Sequence, residues 1–173
     1  MTIEADISAA AARLLDTCRE AGIKVATAES CTGGLVAAAL VDIAGSSDVF
    51  ERGFISYSNA AKETMLGVPR AVLQCYGAVS REAAEAMAAG ALANSPAHLV
   101  VAITGIAGPT GGSKDKPVGL VHFAAAARDG RLIHREKRFG NIGRRAVRLA
   151  SVAEALAMLE ALADGRGVSA GVP

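Results

Sequence analysis

The sequence predicts an α/β domain of three layers, an α/β/α sandwich with helices on both faces of a mixed sheet, and three observations carry that reading. Helical segments alternate with Val/Ile-rich runs through the first two thirds of the chain. Two strand-like runs then meet at Asp129-Gly130, a pair suited to a tight hairpin. Finally, 51% of the 173 residues are hydrophobic, yet only 3% are aromatic and Trp is absent. Alanine and short aliphatics must fill the core, which favours helices packed closely on a Val/Ile sheet. The length fits one domain, expected over residues 1–165, with 166–173 as a flexible tail.

Taken in order, Ile7, Ala11, Leu14, Leu15 and Cys18 fall on one helical face, and Gly22 stops that helix. Residues 23–28 read as a buried strand, followed by a turn at Ser30 and a helix to about residue 43. A loop at Gly45-Ser46-Ser47-Asp48 leads to a second strand over 50–57, with Glu51 and Arg52 placing its start near the surface. Ser58 or Asn59 can cap a short helix carrying Lys62, which Gly67-Val68-Pro69 ends. A further short helix covers 70–75, and Ser80 caps one running to about residue 93. Residues 98–104 form a Val/Ile run typical of an interior strand, and a glycine-rich loop follows from Gly105 to Ser113. The hairpin strands span 118–127 and 131–138. The last helix, 144–162, puts Leu149, Val152, Leu156 and Leu159 on one face and ends at Gly165 and Gly167.

A formal net charge of +1 gives no global field to draw the chain to nucleic acid or to an acidic membrane. Cys18, Cys31 and Cys75 are odd in number and without paired spacing, as reduced cytoplasmic thiols would be. The acidic start, Met1 to Asp6, lacks the basic region and apolar run of a signal peptide. No apolar run is long enough to span a bilayer, so a soluble cytoplasmic protein is expected. His98, His122 and His134 are scattered among strands without a metal-ligand pattern, and neither metal nor cofactor is expected.

The chemistry concentrates at Ser30. It follows a buried strand, at the end where open α/β sheets place ligands, and precedes Gly33 and Gly34. Those glycines cost helix stability, which a close approach of backbone to ligand would explain; a plain helix cap is the competing reading of Ser30. Ala28 and Thr32 stand where the Gly-x-Ser-x-Gly elbow has glycine, so a Ser-His-Asp triad is not indicated. Lys62 is the candidate base, if a closed apolar site lowers its pKa; otherwise it is a solvated surface lysine. Tyr57 could relay a proton or hold the nucleophile, or simply end a strand with its hydroxyl in water. After Thr104, five of the next eight residues are Gly or Pro, a loop able to cradle phosphate or an oxyanion. Arg144, Arg145 and Arg148 oppose the dipole at the start of the last helix, where a clamped anion would justify them as well as a basic patch would.

Several ordered motifs are similar to those of one known family. Thr27-Ala28-Glu29-Ser30-Cys31-Thr32-Gly33-Gly34, Tyr57-Ser58-Asn59 with Lys62, and Met65-Leu66-Gly67-Val68 resemble the CinA C-terminal family. So do Gly77-Ala78-Val79-Ser80, Thr104-Gly105-Ile106-Ala107-Gly108-Pro109 and Lys116-Pro117-Val118-Gly119, and the match runs from about residue 5 to 163. The resemblance implies a nicotinamide-nucleotide amidohydrolase, converting nicotinamide mononucleotide and water to nicotinate mononucleotide and ammonia in NAD salvage. It implies Ser30 as nucleophile, Lys62 as base and Tyr57 assisting, with no metal and a homodimer or higher homo-oligomer. Substrate contacts are expected from Glu29, Cys31, Thr32, Gly33, Gly34, Asn59, Thr104, Gly105, Gly108, Arg144 and Arg148. Many relatives carry a further N-terminal domain, and this chain resembles the stand-alone form. Where many relatives read Phe-x-Gly-Asp-Arg, this chain has Phe139-Gly140-Asn141-Ile142-Gly143-Arg144, which leaves the register of the arginine open. The rival readings are a non-catalytic nucleotide-binding module and a structural partner protein.

Overall fold

Helix α1 (Ile3–Glu20) forms where the sequence predicts it, capped by Thr2, whose Oγ1 accepts from the Ala5 amide at 3.3 Å. The structure, a computed structural model, describes residues 2–165. Strand β1 (Val25–Glu29) is buried throughout; the Ser30 turn and α2 (Leu35–Val41) follow. Strand β2 (Phe50–Ile55) stops two residues before the predicted end, because Ser58 caps α3 (Asn59–Leu66) through the Ala61 amide at 3.0 Å. Then come α4 (Arg70–Tyr76), α5 (Arg81–Ala93), β3 (Leu99–Gly105), β4 (Leu120–Ala127), β5 (Leu132–Arg138) and α6 (Arg144–Ala163). Asp129-Gly130 turns the last two strands as predicted, with Gly130 at φ +96° and the Ala127 amide bonded to the Arg131 carbonyl at 2.8 Å. The predicted tail, and the stop expected at Gly167, lie outside the described residues.

The five strands lie in the order β2-β1-β3-β4-β5. The first three in that row are parallel, and β4 and β5 are antiparallel additions. The mixed three-layer sandwich predicted from the sequence is the fold observed. Strand alternation divides the core in two. Val121, Phe123 and Ala125 of β4 pack with α1, α2 and α6, while Ala124 and Ala126 pack with residues of α3, α4 and α5. Edge strand β5 carries Arg135, Lys137 and Arg138, charges that discourage a further strand from adding there. Among the described residues, no helix is long and apolar enough to cross a membrane.

Two features position the site. From β1 the chain leaves through α2 on one face, and from β2 it returns through α3–α5 on the other before entering the sheet on the far side of β1 as β3. The carboxyl ends of β1 and β3 therefore flank a topological switch point, the usual crevice of an open α/β sheet. Gly90 then lets α5 touch α3, since a Cβ there would lie 1.8 Å from the Leu66 carbonyl oxygen.

Candidate active site

Ser30 stands at the mouth of that crevice. Its amide donates to the Ile103 carbonyl at 2.9 Å, which ties the turn to β3. The turn then runs through Gly33 and Gly34 at φ +59° and +95°, conformations that L side chains rarely adopt, so backbone geometry accounts for both glycines. Gly34, not Ser30, caps α2, and it offers no side chain for the purpose. That task falls to Glu29. Fully buried, its carboxyl accepts from the amides of Gly34, Val36 and Ala37 at 3.0, 3.1 and 2.9 Å. Glu29 therefore closes the start of α2 with its own carboxyl.

Lys62 is among the largest fully enclosed side chains of the described residues, 1% exposed, although it is a lysine. Its Nζ lies 2.9 Å from Ser30 Oγ and 2.8 Å from the Ser56 carbonyl, with the Tyr57 carbonyl at 3.5 Å. Among the described residues no carboxyl forms an ion pair with it. Burial lowers its pKa below the ordinary lysine value, with a smaller opposing influence from the neighbouring Cys31 thiol. The solvated-lysine reading is thereby set aside. The same burial pushes the Cys31 thiol up to about 12, so it is not a thiolate near neutrality.

A cavity of about 270 Å³ opens onto this pair. Tyr57, Thr104, Gly105, Gly108, Cys31 and Arg144 line it along with Ser30 and Lys62. Thr104 donates its hydroxyl to the Ala78 carbonyl at 2.6 Å, closing one side. Gly105 and Gly108 are sites of close approach: a Cβ would meet Val121 Cγ2 at 2.7 Å and Val118 Cγ1 at 2.6 Å respectively. The Ile106 amide and carbonyl bond Leu120 and Gly119 at 2.9 and 2.8 Å, holding the glycine-rich loop against β4. Tyr57 is 62% exposed, and its hydroxyl accepts from Arg144 Nη2 at 3.2 Å rather than bonding Ser30. Arg144 Nη1 donates to the Gly108 carbonyl at 3.0 Å, so one guanidinium joins both lips of the cavity.

Glu29, Thr32, Gly33, Gly34, Asn59 and Arg148 lie outside the cavity lining. Asn59 is exposed at the start of α3. Arg148 instead donates to the Cys31 and Thr32 carbonyls at 3.2 and 2.8 Å, and Arg145 pairs with Glu4 at 3.2 Å. Sequence reasoning named the glycine-rich loop but not Ala78 and Val79 as lining residues, because small apolar side chains carry no chemical signal. It also read His122 and His134 as scattered, whereas their ring nitrogens lie 3.2 Å apart. The hairpin register, with Ala124 opposite His134, was the signal that could have joined them. Among the described residues, no group of three or more His, Cys, Asp or Glu is arranged to hold a metal.

Fold and site together define a class, the three-layer α/β/α domains with a strand-end serine held against a buried lysine. The family model of the CinA C-terminal domain matches residues 7–163, and the chain belongs to that family. It is 53% identical over 125 residues to "Nicotinamide-nucleotide amidohydrolase PncC" of Enterobacter agglomerans, a match covering 72% of this chain and 76% of that one. A CinA-like protein of Synechococcus sp. (strain RCC307) is 49% identical over 90% of this chain but only 37% of its own length. A CinA-like protein of Geobacter sulfurreducens is 54% identical over 72% of this chain and 29% of its own length, so the chain spans about a third of such longer relatives. Among solved structures, the competence/damage inducible protein CihA from Agrobacterium tumefaciens superposes with a TM-score of 0.90 at 56% identity, covering 91% of this chain and 95% of that one.

Proposed function

We propose that this protein is a serine–lysine amidase that deamidates nicotinamide mononucleotide to nicotinate mononucleotide and ammonia. The observation that carries the reading is the 2.9 Å approach of a buried, unpaired Lys62 amine to the Ser30 hydroxyl inside an open crevice. The name of the Enterobacter relative supplies the substrate. Neutral Lys62 takes the Ser30 proton as Oγ attacks the carboxamide carbon. The carbonyl oxygen gains the negative charge and is received by backbone N–H groups at 107–108 of the glycine-rich loop, since Glu29 occupies the start of α2 and the Ile106 amide is given to Leu120. Lys62 returns the proton to the departing nitrogen, ammonia leaves, and an ester on Ser30 remains. Water, deprotonated by Lys62, then attacks the ester and frees the carboxylate and the serine. Arg144, held at the rim with Tyr57, presents its fork to the nucleotide phosphate. The setting is pyridine nucleotide salvage in the cytoplasm, with the protein as a homodimer or higher homo-oligomer.

The test is ammonia release from nicotinamide mononucleotide, nicotinamide riboside and nicotinamide, each with wild type and Ser30→Ala. Release from the nucleotide that vanishes in the variant supports the reading. No release, with the nucleotide still raising the melting temperature, would identify a non-catalytic nucleotide-binding module instead.

A further inference from the structure

Helix α6 begins with a costly arrangement. Arg144 and Arg148 are one turn apart on the same face, like charges four residues apart near the positive end of the helix dipole. Neither pairs with a carboxyl among the described residues. Both donate to backbone carbonyls of the two walls of the crevice instead, Arg148 to these alone and Arg144 to the Tyr57 hydroxyl as well. Arg144 reaches the Gly108 carbonyl on the wall after β3, and Arg148 reaches the Cys31 and Thr32 carbonyls on the wall after β1. One rigid turn, a rise of about 6 Å, thus spans the two walls.

From this geometry we infer that Arg148 is a positioning residue for the Ser30 turn and not a contact of the substrate phosphate. The inference rests on the serine–lysine reading. The two carbonyls it holds belong to the residues immediately after Ser30, and no other side chain donates to either among the described residues. Glu29 grips the same turn from the opposite end through the amides of Gly34, Val36 and Ala37. The turn is therefore held by an anion on its N–H groups and a cation on its carbonyls. Ser30, whose hydroxyl meets Lys62, directly precedes the carbonyls that Arg148 holds. Arg148 also lies against the space a Gly33 Cβ would occupy, with Nη2 at 3.5 Å, so its guanidinium lies along the turn rather than pointing into the cavity. A displacement of the nucleophile by about 1 Å can cost about 100-fold in rate, which is the scale expected on losing this hold.

The discriminating measurement is the sulfonylation rate of Ser30 by phenylmethylsulfonyl fluoride, a neutral probe with neither phosphate nor nicotinamide. The Ser30 Oγ–S bond forms, the S–F bond breaks, and the hydroxyl proton passes to Lys62 and leaves with fluoride. In Arg148→Ala this rate and the kcat for nicotinamide mononucleotide should fall together, by roughly 100-fold, with KM within about threefold of wild type. Arg148→Lys keeps the charge but loses the fork, so an intermediate rate is expected; it serves as the test should the alanine variant fail to fold. A wild-type sulfonylation rate in either folded variant overturns the inference, and a raised KM for the nucleotide alone would return Arg148 to the phosphate. Wild-type protein that is not sulfonylated at Ser30 overturns the serine–lysine reading and this inference with it. Wild type labelled but inactive on the nucleotide leaves Arg148 to be judged on the labelling rate alone.

Discussion

A lysine enclosed without a carboxyl partner is held against its own hydration, and the protein accepts that cost at one residue. Lys62 should therefore lose activity and gain stability when replaced by an apolar residue of similar shape. Lys62→Met is expected to melt at or above the wild-type temperature by calorimetry while its turnover falls at least about 100-fold. Lys62→Arg should be inactive as well, because a guanidinium cannot act as base near neutrality. Ser30→Ala removes only the contact with Lys62, so circular dichroism should be unchanged while kcat drops by about two orders of magnitude or more. The pH dependence follows from the lowered pKa of Lys62. With Lys62 as the proposed base, activity needs the neutral amine, so kcat/KM should rise with pH and level off below the ordinary lysine value of 10.5. Stability follows the same sign. Between the lowered folded value and 10.5 the unfolded chain binds the extra proton, so this residue's contribution grows as pH rises through that window. A rate that levels off only at an ordinary lysine pKa would remove Lys62 from the role of base.

At the scale of single elements, the start of α2 depends on a side chain that precedes it by six residues. Glu29→Ala would leave the Gly34, Val36 and Ala37 amides buried without a partner, at roughly 1–3 kcal/mol each. Chemical denaturation should show a loss of at least about 3 kcal/mol for that variant and clearly less for Glu29→Gln, which keeps the shape and one acceptor. The β4–β5 hairpin carries a second titrating feature. Burial lowers the pKa of His122 and of His134; Glu136 on β5 and Glu82 on α5 oppose the shift for both rings, and Glu85 for His134. Lys116 adds to it for His122, as Arg81 does for His134. Both rings are favoured neutral, so their contribution is complete above pH 6.5 and is lost as pH falls through the lower folded values. Melting temperature should fall more steeply on acidification in wild type than in His134→Gln, and parallel curves would remove the pair from the acid response. Most of these elements were legible beforehand, because periodicity, the Ser58 and Ser80 caps and Asp129-Gly130 are local signals. Ser30 and Lys62 stood out for the same reason, being unusual residue types at local boundaries. The roles of Glu29 and Arg148 were not legible. A buried carboxyl closing a helix looks in sequence like a polar residue beside Ser30. Arg148 and Cys31 are 117 positions apart, a contact that only the completed fold creates.

For the molecule as a whole, the contact between α3 and α5 decides where Lys62 stands. Gly90→Ala would drive a methyl into the Leu66 carbonyl and force the two helices apart, at a cost of about 1–3 kcal/mol or more. Activity should fall further than that loss of stability explains, because Leu66 and Lys62 share α3. Retained wild-type kcat in Gly90→Ala would show that α3 does not follow α5. A broader consequence comes from the division of the core by the sheet. Cys31, beside Ser30, belongs to the apolar cluster on one face, and Leu66, one turn beyond Lys62, belongs to the cluster on the other. The Ser30–Lys62 pair is thus a vernier that reads how the two halves of the core are registered, and it has no slack at hydrogen-bond distance. Slippage too small to melt a helix would already part the two atoms. On warming or in urea, enzymatic activity should therefore vanish before far-ultraviolet circular dichroism changes, and the gap between the two midpoints would measure how far the layers slide while the fold persists.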